Sequence, residues 1–469
     1  MGTETICAIS TPRGSGAIAV IRVDGDDVFS IMDKIFVPKG KTKHAGHLAP
    51  RKVHFGRIVE NDQTVDEALV VPFHAPLSYT GNHMVEISCH GSHYIQQKIL
   101  QLLIDQGAQA AEAGQFTMRA FHNGKMDLAQ AEGVADLIAS TSRASHKLAM
   151  QQMRGGFSAE ISSLREKLLN FISLIELELD FSEEDVEFAD RTQLKKLLED
   201  IDGLIHKLLD SFTLGNAIKN GFPVAIAGNT NVGKSTLLNR LLNEEKAIVT
   251  DIAGTTRDVI EDVINIQGVE FRFIDTAGIR DTKEKIEAMG IERTFDQIDK
   301  AHIVLLLVDA TQPAGSVQST IQKVEERTKD TGKKLLVLLN KVDQVEDQQT
   351  LDQTEQAIRQ VITTDDEFLR ISAKTGQNTD KLIELLLEAI NYSALQQNEI
   401  MVTNVRHYEA LKRASEAMAR ARDGLESGLS SDLFAMDVRQ VLHYLGEITG
   451  EITTDEILGN IFANFCIGK

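Results

Sequence analysis

A short glycine-containing motif near the middle of the chain constrains the fold more than any other feature. Residues 228–235 read GNTNVGKS, follow an apolar run at residues 222–227 (FPVAIA), and precede a helical pattern at residues 236–242. A buried strand that turns through glycines into a helix presents backbone N–H groups to a bound anion. We expect Lys234 to reach the β- and γ-phosphates of a nucleotide and the Ser235 hydroxyl to bind magnesium. The motif therefore predicts a P-loop nucleotide-binding domain.

Three later motifs identify the base of that nucleotide. They are Thr255-Thr256, residues 275–278 (DTAG) and residues 340–343 (NKVD). A carboxylate such as Asp343 accepts hydrogen bonds from both the ring N–H and the exocyclic amine of guanine, a donor pair that adenine lacks. Asp275 is expected to hold the magnesium through water. The four motifs in this order predict GTP binding.

Further apolar runs predict the rest of the nucleotide-binding domain. Residues 270–274, 302–308, 334–339 and 368–372 have the length and composition of buried strands. Strands that alternate with helices predict a parallel, doubly wound sheet, with the ligand beyond the carboxyl ends of the strands. The last run leads into residues 372–374 (SAK), which are expected to back the guanine ring.

Composition limits the remaining functional classes. The chain has 469 residues, a formal net charge of −20 and three cysteines that lie far apart. These features predict several domains in a reducing, cytoplasmic environment, without a disulfide framework, a zinc cluster or a membrane span. The negative charge argues against a sequence-blind nucleic-acid binder, although a local basic patch could still hold RNA.

Three zones of different pattern indicate the domain organisation. Residues 1–120 mix alternating strand patterns with turns, as in an α+β domain, and helical spacing dominates residues 127–212 and resumes after residue 390. This predicts a GTPase domain at residues 221–391, inserted into an all-helical domain made of residues 121–220 and 392–469. Two independent helical bundles remain the alternative.

Four stretches carry a resemblance to a known family. They are residues 10–14 (STPRG), 123–132 (NGKMDLAQAE), 251–258 (DIAGTTRD) and 465–469 (FCIGK). Through them the chain resembles, from end to end, the MnmE (TrmE) family of tRNA-modification GTPases.

The resemblance implies a fold and a set of partners. The fold is multi-domain, α/β plus α: an N-terminal α+β tetrahydrofolate-binding domain, an all-helical domain and an inserted Ras-like P-loop GTPase domain. Family members are homodimers that work with the FAD-containing protein MnmG. Together they add an aminomethyl-type (carboxymethylaminomethyl) group to carbon five of the wobble uridine of certain tRNAs. A folate in the 5-formyl or 5,10-methylene form supplies the one-carbon unit.

The resemblance also implies a potassium ion beside the phosphates. Its ligands would be the Asn231 side chain and the carbonyls of Thr250 and Ile252, with Thr255 adjacent, while Ser235 and Thr256 bind Mg²⁺. A cation there would neutralise charge that develops on the transferring phosphoryl group. From its residue type alone, Asn231 equally suits a turn. The full set of expected GTP contacts is Asn231, Val232, Gly233, Lys234, Ser235, Thr236, Thr250, Asp251, Ile252, Ala253, Gly254, Thr255, Thr256, Asp275, Thr276, Ala277, Gly278, Asn340, Lys341, Asp343, Ser372, Ala373 and Lys374.

The residue that orients the attacking water is not evident from the motifs alone. Ile279 stands where some GTPases place a glutamine, and an aliphatic side chain cannot hold water. The resemblance points instead to Glu287, acting through a bridging water. Without the family, Glu287 would be taken for a solvated residue in a charged run.

The family also assigns residues at both ends of the chain. Arg22, Glu86, Lys125 and Lys469 are expected to bind the folate, with the carboxylate facing the pterin ring and cations facing the glutamyl tail. Cys466 is expected in the uridine-modification site as acid, base or nucleophile. A buried, inert thiol is the alternative for Cys466, because cysteines commonly pack as small apolar residues.

Two departures and two competing functions stay open. Thr230 replaces the family's usual proline in the phosphate loop, and Ser92 replaces a frequent glycine; both are expected to change rigidity rather than activity. A ribosome-assembly GTPase or a nucleotide-gated scaffold without chemistry of its own would share the GTPase motifs. The sequence does not identify the tRNAs or the amine donor.

Overall fold

The structure is a computed structural model that describes residues 4–12, 14–40, 44–180, 191–245, 262–274, 295–329, 331–364, 366–390, 400–427, 431–463 and 465–468. The chain divides into two compact units. The first contains residues 1–139, 149–203 and 410–469, and the second contains residues 140–148 and 204–409. Among the described helices, none is long and apolar enough to cross a membrane.

The first unit begins with a seven-stranded sheet in the order β3-β4-β5-β6-β2-β1-β7. Helices α1 (Val28–Ile35) and α2 (His93–Asp105) cover one face, where alternate strand residues such as Ile21 and Ile87 are buried in one core with Ile99 of α2. This arrangement confirms the α+β class predicted for the first zone. The strands are β1 (Ile6–Ile9), β2 (Ile18–Asp24), β3 (Phe36–Pro38), β4 (His54–Glu60), β5 (Gln63–Phe73), β6 (Met84–His90) and β7 (Gln109–Ala110).

The opposite face of this sheet carries polar and exposed side chains. Arg22 of β2 pairs in register with Glu86 of β6. Two residues further along β6, Ser88 pairs with Leu69 of β5, and Leu69 in turn pairs with Phe55 of β4. Directly paired residues of antiparallel strands point to the same face, and so do residues two apart on one strand. These five side chains therefore share one face, which we call the outer face.

Helices complete the first unit. Helix α6 packs against α13, and Arg165 of α6 donates to the Leu442 carbonyl and pairs with Glu451 at 2.5 Å. Helices from both sides of the predicted GTPase segment thus pack together, as the fold class with an inserted domain requires. The helices that lie wholly or partly in this unit are α3 (Gln115–His122), α4 (Leu128–Ala139), α5 (Arg143–Met153), α6 (Gly156–Asp180), α7 (Arg191–Asn220), α12 (Val405–Glu426), α13 (Ser431–Thr449) and α14 (Asp455–Phe462).

The second unit is a doubly wound α/β domain. Its six-stranded sheet has the order β13-β12-β11-β8-β10-β9 and is flanked by α8 (Lys234–Glu245), α9 (Ala314–Thr328), α10 (Gln348–Arg359) and α11 (Thr379–Ala389). Ile303, Leu305 and Leu307 of β11 belong to the apolar core on one face, whereas Val304 and Leu306 belong to the core on the other. A strand buried on both faces explains why these runs are continuously apolar. The strands are β8 (Phe222–Ala227), β9 (Asp262–Ile266), β10 (Val269–Phe273), β11 (Ile303–Asp309), β12 (Lys334–Asn340) and β13 (Glu367–Arg370).

One edge of this sheet departs from the predicted parallel arrangement. Strand β9 is antiparallel to β10, and the two form a hairpin whose loop is Gln267 and Gly268. Both loop residues have positive φ (51° and 85°), as in the tight turns whose twist matches that of paired strands. The other strands are parallel, as expected.

The compact units do not coincide with the predicted domains 1–120, 121–220, 221–391 and 392–469, whose boundaries stay predictions. Residues 140–148 belong to the second unit, where Ala144 and Leu148 pack against the core of the nucleotide domain. Ala217 and Ile218 of α7 are buried in the same core. The Ala144 N–H also donates to the Gly268 carbonyl at 3.0 Å, so α5 begins on the tip of the β9–β10 hairpin.

Candidate functional site

The phosphate loop between β8 and α8 requires glycine at two positions. Gly228 has a φ of 139°, and a Cβ there would lie 2.3 Å from the Leu307 carbonyl oxygen. Gly233 has a φ of 103°, and its Cβ would lie 2.3 Å from Asn340 Nδ2. Backbone this close to its surroundings tolerates no side chain. The glycines predicted to shape the loop therefore do so.

Lys234 lies at the first position of α8 and folds over the loop. Its Nζ donates to the Gly228 carbonyl at 2.6 Å. Burial lowers the pKa of this amine, because a low-dielectric environment disfavours the charged form. An anion in the loop would favour the charged form of Lys234 and so oppose this shift, and the N-terminus of α8 adds its own favourable dipole. Ser235 follows half-buried, with a hydroxyl oxygen of the kind that Mg²⁺ prefers.

Asn340 connects three segments of the nucleotide pocket. Its Nδ2 donates to the Val232 carbonyl at 2.7 Å, and its Oδ1 accepts from the Ala373 N–H at 2.9 Å. The side chain is 2% exposed. The asparagine of the NKVD motif thus acts as a brace that holds the phosphate loop and the SAK segment in fixed relation.

Asp343 is the exposed carboxylate at the base end of the pocket. The Ser372 hydroxyl donates to its Oδ1 at 2.6 Å, and the same hydroxyl accepts from the Thr375 N–H at 3.2 Å. Ser372 is fully buried, whereas Asp343 and Lys374 are exposed. The serine therefore fixes the direction of the carboxylate, which stays open to a ligand.

Asp309 is a participant that the sequence interpretation missed. It ends β11, and its carboxylate pairs with Lys341 Nζ at 2.6 Å and accepts two hydrogen bonds from Thr311. Burial acts to raise the pKa of Asp309, but the bonds from Lys341 and Thr311 outweigh it and the pKa is lowered. The signal was available, since an acidic residue directly follows a buried strand at the ligand edge of the sheet.

Asn231 is exposed and has a φ of 61°. Asparagine adopts this left-handed conformation more readily than most residues, which explains its presence in the turn. Its predicted neighbours in the cation site lie outside the described residues. The same holds for the predicted switch residues Thr250, Asp251, Ile252, Ala253, Gly254, Thr255, Thr256, Asp275, Thr276, Ala277, Gly278 and Glu287.

A second candidate site lies on the outer face of the first unit. Arg22 Nε and Nη2 both donate to Glu86 Oε1, at 3.1 and 2.7 Å. The Arg22 guanidinium lies 5.2 Å from the centroid of the Tyr79 ring and 5.7 Å from that of Phe116. Both charged groups are partly exposed, and Oε2 of Glu86 receives neither bond. The pair therefore has two aromatic rings beside its guanidinium and one carboxylate oxygen that the guanidinium does not bond.

The C-terminal tail docks next to Arg22. Ile467 forms a β-bridge with Ala113, and the Gly468 carbonyl accepts from Ser10 Oγ at 3.0 Å and from Arg22 Nη1 at 3.4 Å. Gly468 has a φ of 93°, and a Cβ there would lie 2.5 Å from the Ile9 carbonyl oxygen. The tail is thus a fitted part of the outer face.

Cys466 is the exposed cysteine of this chain, whereas Cys7 and Cys89 are buried. Burial raises the pKa of Cys7 to about 12, and burial together with Asp66 raises that of Cys89 to about 11. Thiols with such pKa values are inert. The preceding Phe465 is buried with Leu128 and Phe462. Phe465 is therefore the tail residue that packs in the core, whereas the Cys466 thiol is exposed and does not match a buried, inert cysteine.

Of the four predicted folate residues, the structure brings Arg22 and Glu86 into contact. Lys125 Nζ donates instead to the Pro76 carbonyl at 3.0 Å, at the start of the loop that carries Tyr79. Lys469 lies outside the described residues. The partly exposed carboxylate of Glu86 and the partly buried ring of Tyr79 suit the flat, amine-bearing ring of a pterin, whereas Phe116 is fully buried.

The network around Asp24 was not evident from sequence. This fully buried carboxylate accepts from Arg119 Nη1 at 2.7 Å, from Asn82 Nδ2 at 3.1 Å and from the Thr80 hydroxyl. A buried charge needs such partners. The network fixes the loop that carries Tyr79 above Arg22.

Comparisons with known proteins identify the family to which the chain is similar. A family model described as the MnmE helical domain matches residues 128–466, and one described as the GTP-binding protein TrmE N-terminus matches residues 5–125. The tRNA modification GTPase MnmE of Christiangramia forsetii is 53% identical over 474 residues and covers 99% of each chain. The protein of that name from Bacteroides thetaiotaomicron is 53% identical over 469 residues and covers 100% of each chain.

One solved structure is also similar in part. Era in complex with MgGDPNP and a segment of 16S ribosomal RNA matches 41% of this chain and 65% of its own, at 27% identity and a TM-score of 0.27. A likeness at this TM-score carries no argument about the fold.

Proposed function

Because the chain belongs to the MnmE family of tRNA modification GTPases, we propose that it hydrolyses GTP to drive modification of carbon five of the wobble uridine in certain tRNAs. The docked tail is the observation that carries the proposal. Gly468, two residues after the exposed Cys466, accepts hydrogen bonds from Ser10 and Arg22. A tail held only for stability would not need to present a thiol to solvent.

Guanine recognition rests on Asp343. Its carboxylate accepts from the ring N–H and the exocyclic amine of the base, while the bond from Ser372 keeps it in the required direction. Lys341, Ala373 and Lys374 border the ring. Adenine has no such donor pair, so it would lose both hydrogen bonds to the carboxylate.

Phosphate binding and hydrolysis use the loop and the switch residues. Lys234 and the amides of residues 231–236 bind the β- and γ-phosphates, and Gly278 contacts the γ-phosphate. Ser235 and Thr256 would hold Mg²⁺, with Asp275 acting through water; Asn231, Thr250, Ile252 and Thr255 would hold K⁺. These cations supply positive charge beside the transferring phosphoryl group. Glu287 orients the attacking water through a second water, since Ile279 cannot.

The outer face would hold the folate. Glu86 offers Oε2 to the amine and amide edge of the pterin, and the two bonds from Arg22 to Oε1 hold that carboxylate in position. Lys125 and Lys469 would bind the glutamyl tail. The folate supplies the one-carbon unit, and Cys466 acts beside it as acid, base or nucleophile toward the uridine.

Two protein partners complete the proposal. We propose a homodimer, and an assembly with the FAD-dependent protein MnmG that supplies the redox chemistry. The scaffold alternative would leave Cys466 without a task.

The proposal is tested by mass spectrometry of wobble nucleosides from a strain that lacks the gene. We expect unmodified uridine at the wobble position of a subset of tRNAs, restored by the parent gene and not by a Lys234→Ala variant. A normal nucleoside profile in the deletion strain would contradict the proposal and favour the ribosome-assembly alternative.

A further inference from the structure

One segment of the N-terminal sheet has a charge opposite to that of the whole chain. Residues 34–59 contain seven lysines and arginines, three histidines and no aspartate or glutamate, whereas the chain has a net charge of −20. A protein this acidic repels a polyanion over most of its surface. Binding of RNA therefore requires a local concentration of cations, and this segment provides one.

The structure gathers part of this segment at one edge of the sheet. We define the basic edge as the exposed side chains of Lys39, Arg51, Lys52, Phe55 and Arg57. The Lys39 N–H donates to the Phe55 carbonyl at 2.9 Å, and Lys39 Nζ lies 5.4 Å from the centroid of the Phe55 ring. Arg57 is two residues further along β4, and Arg51 and Lys52 precede that strand.

The cations of the basic edge have no ion-pair partner among the described residues. None of Lys39, Arg51, Lys52 and Arg57 forms an ion pair with any residue that the structure describes, and Arg57 donates to the Thr64 hydroxyl at 3.2 Å. Exposed cations elsewhere frequently have acidic neighbours.

Two acidic residues near the basic edge contact other side chains, and a third marks its border. Asp33 contacts His44 Nδ1 at 3.1 Å, and Glu60 pairs with Lys98 at 2.7 Å. Glu67 lies opposite Arg57 in the register of β4 and β5 and is exposed. Glu67 therefore limits the basic edge on that side.

Phe55 and Arg57 of the basic edge lie on the outer face, as does the Arg22–Glu86 pair beside the docked tail. Phe55 pairs with Leu69, two residues from Val71, and Val71 pairs with Glu86. Strands β4 and β2 are three strand spacings apart in the sheet, which corresponds to about 14 Å. One RNA lying across this face would meet cations at one side and the tail cysteine at the other.

We propose that the basic edge binds the phosphate backbone of the tRNA substrate, and that Phe55 offers a stacking surface to an unpaired base. Lysine and arginine bind phosphates without reading sequence, and aromatic rings beside them hold single-stranded bases. The inference relies on the proposed function only for the identity of the RNA.

The test measures the affinity of the full-length protein for an unmodified tRNA transcript by fluorescence anisotropy at several NaCl concentrations. In Arg51→Ala/Lys52→Ala we expect weaker binding at low salt and a salt slope smaller by about two, since each phosphate contact contributes about one. Lys39→Ala should reduce the slope by about one. The matched control is Lys323→Ala/Lys329→Ala, which removes two exposed cations of the second unit and should leave binding unchanged.

Three results would overturn the proposal. If the basic-edge and control variants have equal tRNA affinity and equal salt slope, this surface does not bind RNA. A smaller molar mass by light scattering, seen only in the basic-edge variants, would assign the surface to contact between copies of the chain. Loss of binding to anionic lipid vesicles, with tRNA binding intact, would assign it to a membrane. GTP turnover should stay at the parental rate in all variants. The binding test is independent of the proposed function, because tRNA affinity is measured whether or not the parent protein modifies uridine.

Discussion

Truncation of Asn340 to alanine should weaken the nucleotide pocket more than the loss of one polar side chain suggests. The amide is 2% exposed and makes one bond to the Val232 carbonyl and one from the Ala373 N–H. Its removal leaves two backbone groups without partners, and each costs about 1–3 kcal/mol when buried. We therefore expect the free energy of unfolding of the second unit to fall by about 2–6 kcal/mol.

Urea unfolding and calorimetric titration of GTP measure the two consequences. Because Asn340 holds the phosphate loop against the SAK segment, GTP affinity should also fall. Each 1.4 kcal/mol of lost binding free energy lowers the affinity about tenfold. Asn220→Ala is the matched control, because Asn220 makes an exposed bond to Asn216. An Asn340→Ala variant that behaves like the Asn220→Ala control in both assays would refute the bracing role.

Three other predictions concern the same domain. Asp343→Asn should weaken GTP binding and favour xanthosine triphosphate in competition assays; unchanged GTP affinity would remove Asp343 from base recognition. GTP turnover should rise steeply when Na⁺ is replaced by K⁺, and Asn231→Ala should flatten that response; equal parental rates in both salts would exclude the potassium site. Burial, with Lys333 and Lys334, lowers the pKa of His302 from 6.5. The unfolded chain therefore binds the proton first, and stability in urea should be lost as pH falls through about 6.5, but less so in His302→Gln.

The sequence predicted the nucleotide domain well because its signals are local. The apolar run before the phosphate loop became β8 (Phe222–Ala227) with the predicted bounds. Strand β9 was missed, since it has only five residues and its hairpin turn uses Gln267 where asparagine would have been a stronger signal. Short alternating strands at a sheet edge leave little trace in composition.

Contacts between distant residues were beyond prediction from residue patterns. The bond from Arg22 to Gly468 joins positions 446 apart in the sequence, and no periodicity relates them. The resemblance supplied Arg22 and Glu86 as a set, but the Asp24 network and the Tyr79 ring emerged only from the fold. The pairing of Asp309 with Lys341 likewise depends on the order of strands in the sheet.

The most direct test of the proposed function separates GTP hydrolysis from modification in a reconstituted reaction. It compares the parent with Cys466→Ser, in the presence of the flavin partner, a folate, GTP and unmodified tRNA. Cys466 is exposed on the tail of the first unit, and serine barely changes its volume. We predict GTP turnover at the parental rate and no modified wobble uridine by mass spectrometry, because a hydroxyl is a poor nucleophile or proton donor near neutral pH. A serine variant that modifies tRNA at the parental rate would contradict the assignment of chemistry to the docked tail.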